Sequence, residues 1–137
     1  MEDSSIKTYL GIDWGGKRIG LAIGDSSTKI ASPYKTVGDI NDVLSEIEYE
    51  EIDVVVIGKP LKMADVYSDL DKDYIAFVRE LEERVDVPIK KIDERLSSKH
   101  ADSLPGDKKT KANRDEIAAM LILQDFFDGA ETDEPLF

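Results

Sequence analysis

Between Leu10 and Asp25 the chain reads Leu-Gly-Ile-Asp-Trp-Gly-Gly-Lys-Arg-Ile-Gly-Leu-Ala-Ile-Gly-Asp. Two apolar segments flank a glycine pair, the pattern of strand, tight turn and strand. The hairpin commits the chain to a sheet from its start. It also places one carboxylate, Asp13, at the end of the first strand, just before the backbone turns. A carboxylate held there by a buried strand is positioned to grip a metal ion or a metal-bound phosphate. The same placement equally suits a residue that only opens a turn.

The rest of the chain supplies the layers such a sheet needs. Residues 8–13 and 19–24 are the hairpin strands, and Lys29 to Val37 is a third strand whose Pro33 marks an edge or a bulge. Asp39 is an N-cap ahead of Ile40, Val43, Leu44 and Ile47 at helical spacing. Asp53-Val54-Val55-Val56-Ile57-Gly58 is a continuous β-branched run, expected of a buried central strand. A loop, Lys59 to Met63, follows it.

A long amphipathic helix is expected over Val66 to Val85, with Tyr67, Leu70, Tyr74, Phe77, Leu81 and Val85 as its apolar stripe. Val87 to Ile92 is a further strand, leading into Asp93-Glu94-Arg95-Leu96-Ser97-Ser98. Residues 102–113 read as a polar loop. A last helix runs from Asn113 to Phe127, and its Ile117 to Leu123 stretch, apolar nearly all round, is expected to be largely buried. The acidic tail from about 129 to 137 is expected to be disordered. The order β-β-β-α-β-α-β-α predicts a single α/β domain over residues 1–137, a mixed central sheet with helices packed on its faces.

Composition narrows the chemistry. The 137 residues include no cysteine and one histidine, His100, so thiolate chemistry and multi-histidine metal sites are excluded, while hard-metal chemistry on carboxylates stays open. The N-terminus lacks the basic-then-apolar order of a signal peptide, and no apolar run has the length of a membrane span, so a cytoplasmic protein is expected. The net charge of −12 is unevenly spread. Segments 39–86 and 115–137 carry −10 and −7, whereas 1–38 and 87–114 carry +1 and +4. The basic excess falls in the segments that hold the hairpin and the Asp-Glu-Arg motif, which keeps a polyanionic substrate open.

Three acidic positions stand where a site can form: Asp13 after the first strand, Glu94 (beside Asp93) after the last strand, and Asp115 (beside Glu116) at the start of the last helix. Each has an ordinary structural role to offer as well, as a turn residue, an ion-pair partner or a first-turn helix acid. If they converge, their mutual repulsion calls for divalent cations between them. Oxygen-only ligation selects Mg²⁺ or Mn²⁺, and two such ions can activate water and stabilise the leaving oxygen of a phosphodiester. Trp14 either packs beneath the turn or stacks on a base.

Four blocks, in order, resemble the YqgF family, also called RuvX, of pre-16S rRNA nucleases and Holliday junction resolvase-like proteins. They are Leu10 to Gly20, Val56 to Met63, Asp93 to Ser98, and Asp115 to Gln124. Gly16 stands where the family often has threonine, and Met63 is followed by Ala64-Asp65 where Asp-Gly is common. The resemblance implies an RNase H-like fold and metal-dependent phosphodiester hydrolysis. It implies Asp13, Glu94 and Asp115 as catalytic, metal-binding carboxylates, and Lys17, Arg18, Lys59 and Arg95 as phosphate contacts or orienting groups.

The expected partner is nucleic acid, structured RNA or branched DNA, with a monomer and a homodimer both open. The leading function is trimming of the 5′ end of pre-16S rRNA. Alternatives are a junction-resolving DNA endonuclease, a noncatalytic nucleic-acid-binding relative, and a phosphotransferase of the actin and sugar-kinase type. The last shares Asp-x-Gly after its first strand but clamps ATP between two such domains, for which this chain is too short.

Overall fold

A computed structural model describes residues 6–59, 69–93 and 114–129. Its elements follow the expected order: β1 (Thr8–Trp14), β2 (Ile19–Asp25), β3 (Ser32–Val37), α1 (Ile40–Tyr49), β4 (Val54–Lys59), α2 (Asp69–Arg84), β5 (Ile89–Asp93) and α3 (Arg114–Phe127). The loop residues 60–68, all of 94–113 and the tail from residue 130 lie outside the described residues. So do Glu94, Arg95, His100, Tyr67 and the expected polar loop.

The five strands make one sheet in the order β3-β2-β1-β4-β5. β1, β2 and β3 are an antiparallel meander, whereas β4 pairs in parallel with both β1 and β5. The carboxyl ends of β1, β4 and β5 therefore lie at one edge of the sheet. In open sheets with parallel strands, that is where side chains of different strands can meet around a ligand.

Alternation along the strands explains the two faces. Leu10, Ile12, Leu21, Val55 and Ile57 point to one side and join Val43 and Ile47 of α1 with Tyr74, Phe77, Val78 and Leu81 of α2. Ala22, Val56 and Ile92 point to the other side and join Ala119, Ile122 and Leu123 of α3. β4 is covered on both sides, which is why Val54-Val55-Val56-Ile57 shows no polar alternation.

Two expectations are adjusted, and the edge or bulge expected at Pro33 is found. The third strand begins at Ser32, because Lys29 takes a left-handed turn conformation (φ 56°) that ends pairing upstream. Its ladder is irregular where Leu21 and Ala22 face Lys35 and Pro33, at the edge position expected for a proline. In α3 only Ala119, Ile122 and Leu123 are fully buried. The helix packs on one face of the sheet only, so Ile117, Met120 and Leu121 stay half-buried.

The N-cap at Asp39 holds as expected, its carboxylate accepting from the Asp42 amide at 3.2 Å. Trp14 is a packing residue: its ring meets Tyr74 edge-on at 5.8 Å and lies 6.3 Å from Phe77.

Candidate active site

The α3 side of the hairpin carries small residues at every second position. Gly11 lies on β1, and Gly20, Ala22 and Gly24 follow one another on β2. A Cβ at Gly11 would sit 2.8 Å from Cβ of Leu123 and 2.9 Å from the Ala119 carbonyl oxygen. At Gly24 it would sit 2.8 Å from the Phe127 ring. At Gly20 it would collide with the main chain of Asp115. These three glycines let α3 lie against the sheet backbone, running from Asp115 over Gly20 to Phe127 over Gly24. Tyr9 closes the far end between Phe126 and Phe127, at 5.5 and 5.2 Å.

This close approach shapes the candidate site. Asp13 is directly opposite Gly20 in the β1–β2 ladder, and Gly20 is opposite Thr36 of β3. Asp13 shares the strand face of Tyr9 and Gly11, so it belongs to the α3 side. The first turn of α3 crosses this row. The Thr36 hydroxyl donates to Glu116 at 3.1 Å, and Asp115 rests on Gly20. Asp13 and Asp115, from opposite ends of the sequence, thereby share Gly20 as a neighbour, the first across the ladder and the second by its main chain.

Arg18, in the turn of the hairpin, reaches the same point. Its Nε donates to Oδ2 of Asp115 at 2.7 Å, a charge-assisted hydrogen bond. Beyond it an open groove of about 560 Å³ is lined by Lys17, Arg18, Lys35, Thr36, Gly38 and Ser45, among others. Lys35 is held by Glu46 of α1 at 2.7 Å, and Glu46 also accepts from the Tyr34 hydroxyl at 2.6 Å. The Lys35 hydrogen bond, then that of Tyr34, holds the Glu46 carboxyl below the usual range, and the same bond raises the Lys35 ammonium.

Of the residues expected to form the site, Asp13, Asp115, Lys17 and Arg18 are gathered at one end of the hairpin. Lys59 closes β4, paired in register with Asp93, the last residue of β5. Ile92 faces α3 one residue earlier. Glu94 and Arg95 follow directly, outside the described residues. Among the described residues no group of three or more His, Asp or Glu side chains is close enough to hold a metal. Asp13 and Asp115, the described residues of the expected set, offer carboxylate oxygens, a donor chemistry that suits Mg²⁺ or Mn²⁺.

Sequence reasoning passed over Gly20, Thr36 and Gln124. The signal for the first was the Gly-x-Ala-x-Gly alternation on β2, which marks a strand face crossed closely by another backbone.

The mixed five-stranded sheet with helices on both faces is an RNase H-like fold. Solved structures agree on the fold. Thermus thermophilus RuvC in complex with a Holliday junction substrate superposes with a TM-score of 0.59 at 15% identity, covering 92% of this chain and 99% of that one. A second Thermus thermophilus RuvC structure gives 0.55 at 11% identity, covering 91% and 99%.

The chain belongs to the RuvX family, described as Holliday junction resolvase, whose profile matches residues 7–129. A relative from Maridesulfovibrio salexigens, named "Putative pre-16S rRNA nuclease", is 41% identical over 126 residues, which is 84% of this chain and 93% of the relative. One of the same name from Methylobacillus flagellatus is 36% identical over 137 residues, covering 92% and 94%. No described helix is long and apolar enough to cross a membrane.

Proposed function

We propose that this chain is a metal-dependent nuclease that trims the 5′ end of pre-16S rRNA, acting in the cytoplasm. The observation that carries the reading is that Asp13 stands opposite Gly20 in the β1–β2 ladder while Asp115 rests on that same glycine and is bonded by Arg18. Relatives named "Putative pre-16S rRNA nuclease" match 84% and 92% of this chain.

In this reading Asp13 and Asp115, with Glu94 as the third carboxylate, hold Mg²⁺ or Mn²⁺. When bound, the metal supplies an activated water and charge stabilisation at the scissile phosphate. The protein's own part is placement. The β1–β2 ladder fixes Asp13, and the glycine contact fixes Asp115. The turn offers Lys17 and Arg18 to the phosphate backbone, and Lys59 and Arg95 supply further contacts from the ends of β4 and the segment after β5.

A junction-resolving DNA endonuclease is the second reading, favoured by the family's description. It needs two symmetric nicks and hence a dimer. The test offers an rRNA precursor and a four-way DNA junction in parallel, with Mg²⁺ or Mn²⁺, to the wild type and to Asp13→Asn. Precursor trimming that falls about hundredfold or more in the variant supports the proposal. Junction cleavage alone, by a dimer, replaces it with the second reading. Equal background in both proteins removes the site.

A further inference from the structure

We infer that Arg18 is the internal counter-ion of Asp115: it holds this carboxylate while no divalent cation is bound, and turns to the substrate's phosphates once a cation takes it. The inference rests on the metal-dependent reading above and assigns Arg18 a positioning role within it.

The geometry supports both halves of the exchange. The contact is a single short bond, Nε to Oδ2 at 2.7 Å. The partners differ in exposure: the Arg18 side chain is 63% exposed and that of Asp115 is 24% exposed. The carboxylate is therefore the anchored member, fixed by α3 on Gly20, and the guanidinium is the member that can move. Asp115 also lies in the first turn of α3, whose amides already favour a negative charge there. Arg18 is thus not needed to complete the helix end. What it does is balance the Asp115 carboxylate itself.

An ion pair this exposed is weak enough for a divalent cation to displace. Arg18 does not have to travel far afterwards, because it also lines the groove with Lys17, Thr36 and Ser45. Lys35, which also lines that groove, is engaged by Glu46. Of the described cations lining the groove, which also carries Asp42 and Glu46, Arg18 is the one bonded to Asp115, and a guanidinium suits a phosphate in geometry as well as charge.

The test is calorimetric titration of the full chain with MnCl₂, in wild type, Arg18→Gln and Arg18→Lys, together with single-turnover cleavage and thermal melting of each. Arg18→Gln removes a competing and repelling cation, so Mn²⁺ binding tightens about threefold to fivefold. Cleavage falls about tenfold in the same protein, because the phosphate contact is gone. A purely structural Arg18 moves both quantities down together.

Arg18→Lys keeps the charge without the planar fork. It gives an intermediate affinity, and serves the comparison if the glutamine variant melts early. Unchanged or weaker Mn²⁺ binding by a folded Arg18→Gln overturns the counter-ion role and leaves the metal site standing. No Mn²⁺ uptake by the wild type overturns the metal-dependent reading itself, and the inference with it.

Discussion

The main chain of Asp115 occupies the space that a side chain on Gly20 would fill. One contact therefore joins a packing requirement to the proposed chemistry. Gly20→Ala has to push the first turn of α3 away from the sheet, and overpacking of this kind costs about 1–3 kcal/mol. Gly11→Ala meets Leu123 and the Ala119 carbonyl further along the same helix, away from Asp13's end. Both variants lower the urea midpoint. Only Gly20→Ala also lowers cleavage per folded molecule, because it alone shifts Asp115 relative to Asp13. Equal specific activity of the two folded variants would contradict this account.

Gln124 fastens the other end of α3. Its Oε1 accepts from the Ala31 amide at 2.9 Å and its Nε2 donates to the Lys29 carbonyl at 3.0 Å. The side-chain amide thus bridges the connection between β2 and β3 at the point where Lys29 holds its left-handed conformation. Gln124→Ala leaves these main-chain groups without their partner and costs about 1–2 kcal/mol. Lys29→Gly removes the steric penalty at φ 56° and is neutral or stabilising by a few tenths to about 1 kcal/mol. Chemical denaturation of both variants at pH 7 measures the two effects, which are expected to have opposite or near-zero relative sign.

Most of the element order was legible because each element carried a local signal. The β-branched run of β4, the Asp39 cap and the glycine turn of the hairpin each settle a local choice without reference to the rest of the chain. The site was legible only in part. Asp13 and Asp115 could be named from position, but the seating of Asp115 on Gly20, opposite Asp13, depends on how closely α3 approaches β2. That distance is set by side chains that are missing: the glycines on β2. Arg18 illustrates the same limit. Its charge pointed to phosphate, while its bond to Asp115 spans 97 positions of sequence and exists only in the folded chain. The β3–α1 cluster of Tyr34, Lys35, Glu46 and Glu50 left no motif, since single residues on adjacent elements have no spacing rule.

Trp14 follows the acidic residue of the hairpin, where stacking on a nucleic-acid base and packing under the turn were both open. Its contacts with Tyr74 and Phe77 assign it to the core. Trp14→Ala then destabilises by about 3 kcal/mol. Trp14→Phe keeps most of the aromatic contact, with a smaller loss. RNA affinity of Trp14→Phe, measured at fixed salt by fluorescence anisotropy with labelled RNA, stays within about twofold of wild type. A large loss of affinity in a variant of near-native stability would return the ring to the substrate.

The cluster on the β3 edge gives the protein a defined pH signature. Burial, then the hydrogen bonds to Glu46 and Glu50, raises the Tyr34 phenol well above its ordinary range and keeps it a donor. Glu46, held low by Lys35 and Tyr34, contributes stability that is complete above its ordinary value of 4.5 and is lost as pH falls through its lower folded value. Lys35 and Tyr34 are both raised, so their contributions are complete below their ordinary values of 10.5 and 10.0 and are lost as pH rises through the folded ones. The stability gap between wild type and Glu46→Gln should therefore be flat across neutral pH and close on the acid side, as pH falls below the ordinary value of 4.5. Tyr34→Phe, which removes two hydrogen bonds to carboxylates, should cost about 1 kcal/mol at pH 7. Urea midpoints of the three proteins from pH 3 to pH 9 check both expectations. A gap for Glu46→Gln that persists unchanged at pH 3 would show that the carboxylate charge is not what binds β3 to α1.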